Sequence, residues 1–323
     1  MKRLLVIALL MISSLSAQIK DVTVSIVPQK YFVEKIAGDK INVNVMVKKG
    51  FSPANYEPKT SQMKKLAQSS IYFSIGVPFE NSWLKKFKNA NKNMLMVDTS
   101  MGIEKLEMAE HSHHEDEGHH DEHADHDEHD DHKKHDEHDE HKDHDHEKHD
   151  EHDEHADHDE HESSDPHIWN DPILVKIQAK NIYEALVKVD HDNESFYKEN
   201  YEKFIKELDL LNQKLETILN PYKNKAFMVF HPSWGYFAKK YSLEQVAIES
   251  QGKEPKPKEL VELIKDAKEH NIKIVFVAPQ FSQKSAKLIA NSINGSVHVI
   301  DPLAKNWEEN LIQTAEKIAN TYK

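Results

Sequence analysis

The chain alternates short apolar runs with stretches of helical spacing, and it does so in two series. VTVSIV (Val22 to Val27) is rich in β-branched residues and ends at Pro28, and Tyr31 to Ile36 continues with helical spacing. INVNVMV (Ile41 to Val47) predicts a strand, Thr60 to Gln68 a helix opened by a Thr/Ser cap, and IYFSI (Ile71 to Ile75) and MLMV (Met94 to Val97) two further strands. The second series has strands at AFMVF (Ala226 to Phe230), EQVAI (Glu244 to Ile248), KIVFVA (Lys273 to Ala278) and VHVI (Val297 to Ile300). Helices are expected between them at Gly235 to Lys240, Pro257 to His270 and Ser282 to Ser292, with a last one from Trp307 to Tyr322. Strands that alternate with helices imply α/β lobes, each with a parallel sheet covered on both faces.

Between the series, Pro172 to Val189 predicts a helix with Pro in its first turn. A longer one follows from Glu194 to Asn220. Its apolar positions Tyr197, Tyr201, Phe204, Leu208, Leu211, Leu215 and Ile218 step by 4, 3, 4, 3, 4, 3 and form one continuous stripe. Such a stripe fits an ordinary helix of one lobe, or a rigid spine between two; its place between the series favours the spine. The expected organisation is therefore a leader at 1–17, a first lobe at 18–192, a linking helix at 193–220 and a second lobe at 221–323.

Composition changes this picture in one place. The segment from His111 to His161 holds 19 of the 24 histidines, 24 Asp/Glu and four Lys. Its formal charge is −20 while the whole chain carries −14, so the remainder sums to +6, not basic enough for nucleic acid. Two alanines are its only apolar residues, too few to offset the entropy of ordering, so a disordered loop within the first lobe is expected. Its imidazoles, His111, His113, His114, His119, His120, His123, His126, His129, His132, His135, His138, His141, His144, His146, His149, His152, His155, His158 and His161, are expected to gather divalent metal in many interchangeable geometries.

The start, MKRLLVIALLMISSLSAQ, has two basic residues, an apolar run from Leu4 to Ile12 and small residues ending in Ser16-Ala17. That layout predicts a secretory signal cleaved after Ala17 and an exported, periplasmic mature protein. There are no cysteines, which removes disulfides, thiolate zinc ligands and a lipidated cysteine, and leaves His and carboxylates as metal ligands.

Ligands in parallel sheets collect beyond the carboxyl ends of the strands. His231 directly follows AFMVF, Asp301 directly follows VHVI, and His167 lies in the loop SDPHIWNDP. Each has an ordinary explanation: a polar strand exit before Pro232, a turn cap before Pro302, one more member of the histidine tract. Together they outline a metal site in a cleft between lobes.

The chain also resembles the periplasmic metal-binding components of zinc and manganese ABC transporters, the ZnuA-like branch of the cluster A-I solute-binding proteins. The resemblance rests on GFSPANYEPKTSQM (Gly50 to Met63), the acidic His-rich insert followed by DPHIWNDP (Asp165 to Pro172), and VFHPSWGYFAKKY (Val229 to Tyr241). ESQGKEPKPKEL (Glu249 to Leu260), VFVAPQFS (Val275 to Ser282) and IDPL (Ile300 to Leu303) complete it. It implies two Rossmann-like lobes joined by one long helix and a cleft metal with ligands from both lobes, carried onto His167, His231 and Asp301. It also implies transported zinc with no organic cofactor, a membrane permease as partner and a monomer. Histidine at position 231 resembles the zinc branch more than the manganese branch, and imidazole suits Zn²⁺ better than Mn²⁺.

One departure stands out. The family pattern G-x-S-P-H-x-[YF]-E-P has its first ligand where this chain has Ala54. Water, Glu57 as the nearest local donor (Asn55 being a poor one for zinc), or a histidine of the tract are the candidates for that fourth position. An exported metal buffer or adhesin on the same fold is the competing reading. A zinc hydrolase lacks its motif, since no H-E-x-x-H occurs.

Overall fold

Runs of residues buried on both faces mark the inner strands of two sheets. In the computed structural model, which describes residues 21–108, 164–249 and 253–323, the first sheet consists of β1 (Asp21–Val24), β2 (Asn42–Val45), β3 (Ile71–Ser74) and β4 (Leu95–Asp98), all parallel, in the order β2-β1-β3-β4. The second repeats that order as β6-β5-β7-β8, with β5 (Ala226–Val229), β6 (Glu244–Ala247), β7 (Ile274–Val277) and β8 (Ser296–Val299). The expected leader at 1–17 and the histidine tract lie outside the described residues.

The helices are α1 (Val27–Ala37), α2 (Thr60–Leu66), α3 (Phe79–Ala90), α4 (Pro172–Val189), α5 (Glu194–Leu219), α6 (Gly235–Lys240), α7 (Pro257–Glu269), α8 (Lys284–Ser292) and α9 (Trp307–Asn320). Helix α3 is not among the elements expected from the sequence; Phe79 and Phe87 are buried and Trp83 packs beside them at spacings of four.

The period of two along the strands divides the core. Phe227 and Val229 of β5 and Phe276 of β7 join the large cluster that runs through α4, α5, α9 and the first sheet. Met228, Val275 and Val277 face the other way, into a smaller cluster with α7 and α8.

Helix α5 is the spine. It spans about 39 Å at 1.5 Å per residue, and buries Tyr197, Phe204, Leu208, Leu211, Leu215 and Leu219. Its first half meets the first lobe, where Asn200 Nδ2 donates to Ile36 O (3.1 Å) and Lys35 pairs with Glu207 (2.6 Å). Its second half meets the second lobe through Tyr241 Oη on Asn212 (3.2 Å) and Lys240 on Glu216 (3.3 Å). The C-terminal helix α9 crosses back, so that Trp307 meets Phe32 edge-on at 5.0 Å between ring centroids. The lobes thus share one hydrophobic core.

Beneath the carboxyl ends of β1 and β3, Glu80 is buried and accepts from the backbone N–H of Ile75 (3.1 Å) and Gly76 (2.8 Å) and from the Ser25 hydroxyl. Burial pushes its pKa up to about 7 from an ordinary 4.5, against the pull of those donors. A raised carboxyl pKa makes its contribution to stability complete below 4.5 and lost as pH rises through about 7. Denaturant unfolding is expected to show a loss of about 2 kcal/mol from this group between pH 5 and 8, a slope that Glu80→Gln lacks; equal slopes in both chains would contradict it.

Candidate metal centre

In each sheet the strand order reverses beside its first strand, and loops leaving the carboxyl ends there converge on one cleft. From the first lobe come Ser52 to Ala54 after β2 and Val77-Pro78 after β3; from the second come His231 after β5 and Gln280-Phe281 after β7. Together with His167, Trp169 and Pro302 they line a cavity of about 60 Å³.

His167 is buried in the segment that leads into α4. Asp165 folds back on it across Pro166, so that Oδ1 accepts from the His167 backbone N–H (2.8 Å) and stands 2.7 Å from Nδ1. Asp171 then caps α4 by accepting from Ile173 N (2.7 Å), with Pro172 at the first helical position. The second lobe clamps this segment. Trp169 Nε1 donates to Pro302 O (2.7 Å), Trp307 Nε1 to Trp169 O (2.8 Å), Asn170 Nδ2 to Ser233 O (2.7 Å) and Tyr236 Oη to Asp165 O (2.8 Å).

His231 sits two residues beyond the end of β5, and Glu249 two residues beyond the end of β6. The β5–β6 register pairs Val229 with Ala247, which brings Glu249 Oε1 to 3.2 Å from His231 Nδ1. Phe281 stacks on the other side of the ring, 4.8 Å between centroids and 25° off parallel. The His167 and His231 rings are 5.3 Å apart.

An ionised carboxylate only accepts, so Nδ1 of each ring is the protonated nitrogen and Nε2 carries the free lone pair. Burial lowers the His167 pKa, partly opposed by Asp165, so at neutral pH the ring is neutral and fit to coordinate. Neither Asp165 nor Glu249 was singled out from the sequence. Their signal is the rule that a metal-binding imidazole leans on a carboxylate through its second nitrogen.

The other two candidates are placed differently. Asp301 stands at the exit of β8 with Oδ1 accepting from Leu303 N (3.0 Å) and Gln280 Nε2 (3.1 Å); it adjoins the cavity through Pro302, Leu303 and Gln280 without lining it. Glu57 is exposed and off the lining, while Tyr56 turns inward to donate to Gln62 Oε1 (2.8 Å). Tyr56 is buried and Glu57 beside it is exposed, so this loop directs the Glu57 carboxylate to solvent. Ala54 does line the cavity. Among the described residues no three His, Asp or Glu side chains are gathered closely enough to hold a metal as they stand.

The profile of the family described as zinc-uptake complex component A, periplasmic (ZnuA) matches residues 22–323. The high-affinity zinc uptake system protein ZnuA of Haemophilus influenzae is 35% identical over 309 residues, covering 94% of this chain and 92% of its own. A crystal structure of ZnuA, 40% identical, superposes with a TM-score of 0.76 over 94% of this chain and 100% of that one. A ZnuA deletion mutant with zinc bound, also 40% identical, gives 0.75 over 94% and 98%. This chain belongs to the ZnuA family of periplasmic zinc-uptake components.

Proposed function

We propose that this protein captures zinc in the periplasm and delivers it to the permease of an ABC transporter, with His167 and His231 as imidazole donors and Asp301 as the carboxylate donor. The observation that carries the reading is the pair of imidazoles 5.3 Å apart, each with Nδ1 against a buried carboxylate and Nε2 left for a cation. Two neutral nitrogens and one carboxylate suit Zn²⁺, with a fourth position to be filled by something other than Ala54.

Capture by local rearrangement fits better than a wide hinge. Swinging the lobes apart would break the four hydrogen bonds that hold the His167 segment to the second lobe and would expose the shared core. Small local shifts within the cleft ask for far less.

The histidine tract is the accessory in this reading. At −20 it attracts divalent cations and holds them loosely, whereas the two cleft imidazoles are oriented beforehand and lose less entropy on binding. Zinc stoichiometry is expected to fall when residues 111–161 are deleted, with one tight site remaining. Adding Ala54→His to the deleted chain is expected to tighten that site by about tenfold or more, since one good donor contributes over 1.4 kcal/mol. If the deletion abolishes tight binding and Ala54→His does not restore it, the cleft is not the working site.

A further inference from the structure

Gln280 touches Asp301 and lines the cavity together with His231. The β7–β8 register pairs Val277 with Val299, so the turn after β7 carries Gln280 against Asp301. Its amide orientation is fixed by chemistry: Asp301 only accepts, so the atom 3.1 Å from Oδ1 is Nε2. Oε1 therefore points the other way. That oxygen is buried with no hydrogen-bond partner among the described residues, while Gln280 lines the same cavity as His167, His231 and Ala54.

A buried acceptor without a donor is destabilising, and such atoms are retained where water or an ion meets them. Here the cavity also has a position at which this chain offers a methyl group in place of a ligand, Ala54. Zinc held by two imidazoles and one carboxylate completes its tetrahedron with water. The ion acidifies that water, which becomes a strong donor in need of an acceptor.

We propose that Gln280 is a positioning residue of the cleft: its amide NH₂ fixes the Asp301 carboxylate, and its carbonyl accepts a hydrogen bond from the water that completes the zinc shell where Ala54 supplies no ligand. This rests on His167, His231 and Asp301 being the protein donors. One neutral side chain serves both ends because a carboxylate needs a donor and an acidified water needs an acceptor. Glutamate at this position would set a second negative charge against Asp301, and methionine would fill the space while serving neither end.

The test uses the full chain under buffered free zinc, read by tryptophan emission, since Trp169 packs on His167 at 5.0 Å and reports on the cleft in the presence of the tract. Gln280→Met is expected to weaken zinc binding by about 10- to 100-fold, the usual effect of removing an outer partner of a metal ligand. In an Ala54→His background the new imidazole takes the place of the water, so the same substitution is expected to weaken binding at least threefold less, by about the double-mutant coupling of neighbouring groups. Thermal midpoints matching the parent establish that the variants fold, and Gln280→Ala replaces Gln280→Met if methionine shifts the midpoint. Unchanged affinity in Gln280→Met overturns the proposal, and so does an equal loss in both backgrounds. Asp301→Ala separates the two levels: parental affinity in that variant would sink the donor assignment itself, whereas a large loss there with no effect of Gln280→Met would sink only the role of Gln280.

Discussion

His231→Ala is expected to weaken zinc binding at the cleft by about 100- to 1000-fold, from a total of about 10–16 kcal/mol shared among four donors. The ring is oriented before any cation arrives, with Glu249 on Nδ1 at 3.2 Å and Phe281 stacked at 4.8 Å, so little of its coordination energy goes into ordering it. Alanine removes the donor and also leaves Glu249, a buried carboxylate, without the N–H it faces. Isothermal titration of the chain lacking residues 111–161 isolates this phase from weaker binding by the tract. Retention of the high-affinity phase in that variant would exclude His231 as a ligand.

Trp169→Ala is expected to destabilise the fold by about 3–5 kcal/mol, the usual range for truncating a buried large aromatic. Trp169 is fully buried, donates across the lobes to Pro302 O at 2.7 Å and packs on His167 at 5.0 Å. Truncation opens a cavity, orphans the Pro302 carbonyl and removes a wall of the metal site. Trp169→Phe keeps most of the volume and loses the indole donor, so about 1–2 kcal/mol is expected, the value of one buried hydrogen bond. Urea unfolding followed by circular dichroism measures both. Equal effects of the two substitutions would show that the cross-lobe hydrogen bond, not packing, dominates at this position.

Much of the architecture is legible in the sequence. β-branched runs followed by helical spacing gave two parallel lobes, and the stripe from Tyr197 to Ile218 gave the spine, because burial on one side of a helix imposes the 4, 3 step whatever it packs against. Tyr201 is only partly buried, and at the last turn Leu219 is buried in place of Ile218, where α5 gives way to a 3-10 turn at Asn220–Tyr222. Helix α3 is hard to see in the sequence because Phe79, Trp83 and Phe87 are diluted among lysines and asparagines. His231 and Asp301 were visible as candidates because each directly follows an apolar strand, and His167 because of its D-P-H setting and family resemblance.

What surrounds those residues was a matter of tertiary structure. His231 and Glu249 are 18 residues apart, and Gln280 and Asp301 are 21 apart. Each pair meets only because parallel strands align Val229 with Ala247 and Val277 with Val299. A strand's sequence states that it is apolar but not which neighbour it pairs with or in what register, since every backbone in a parallel ladder offers the same donors and acceptors. The choice of register is made by packing against helices from elsewhere in the chain. By itself the sequence determined which residues can bind a metal and that they stand at strand ends; only the folded sheets decided which carboxylate orients each imidazole, that Glu57 turns to solvent while Ala54 faces the cavity, and that Gln280 reaches Asp301.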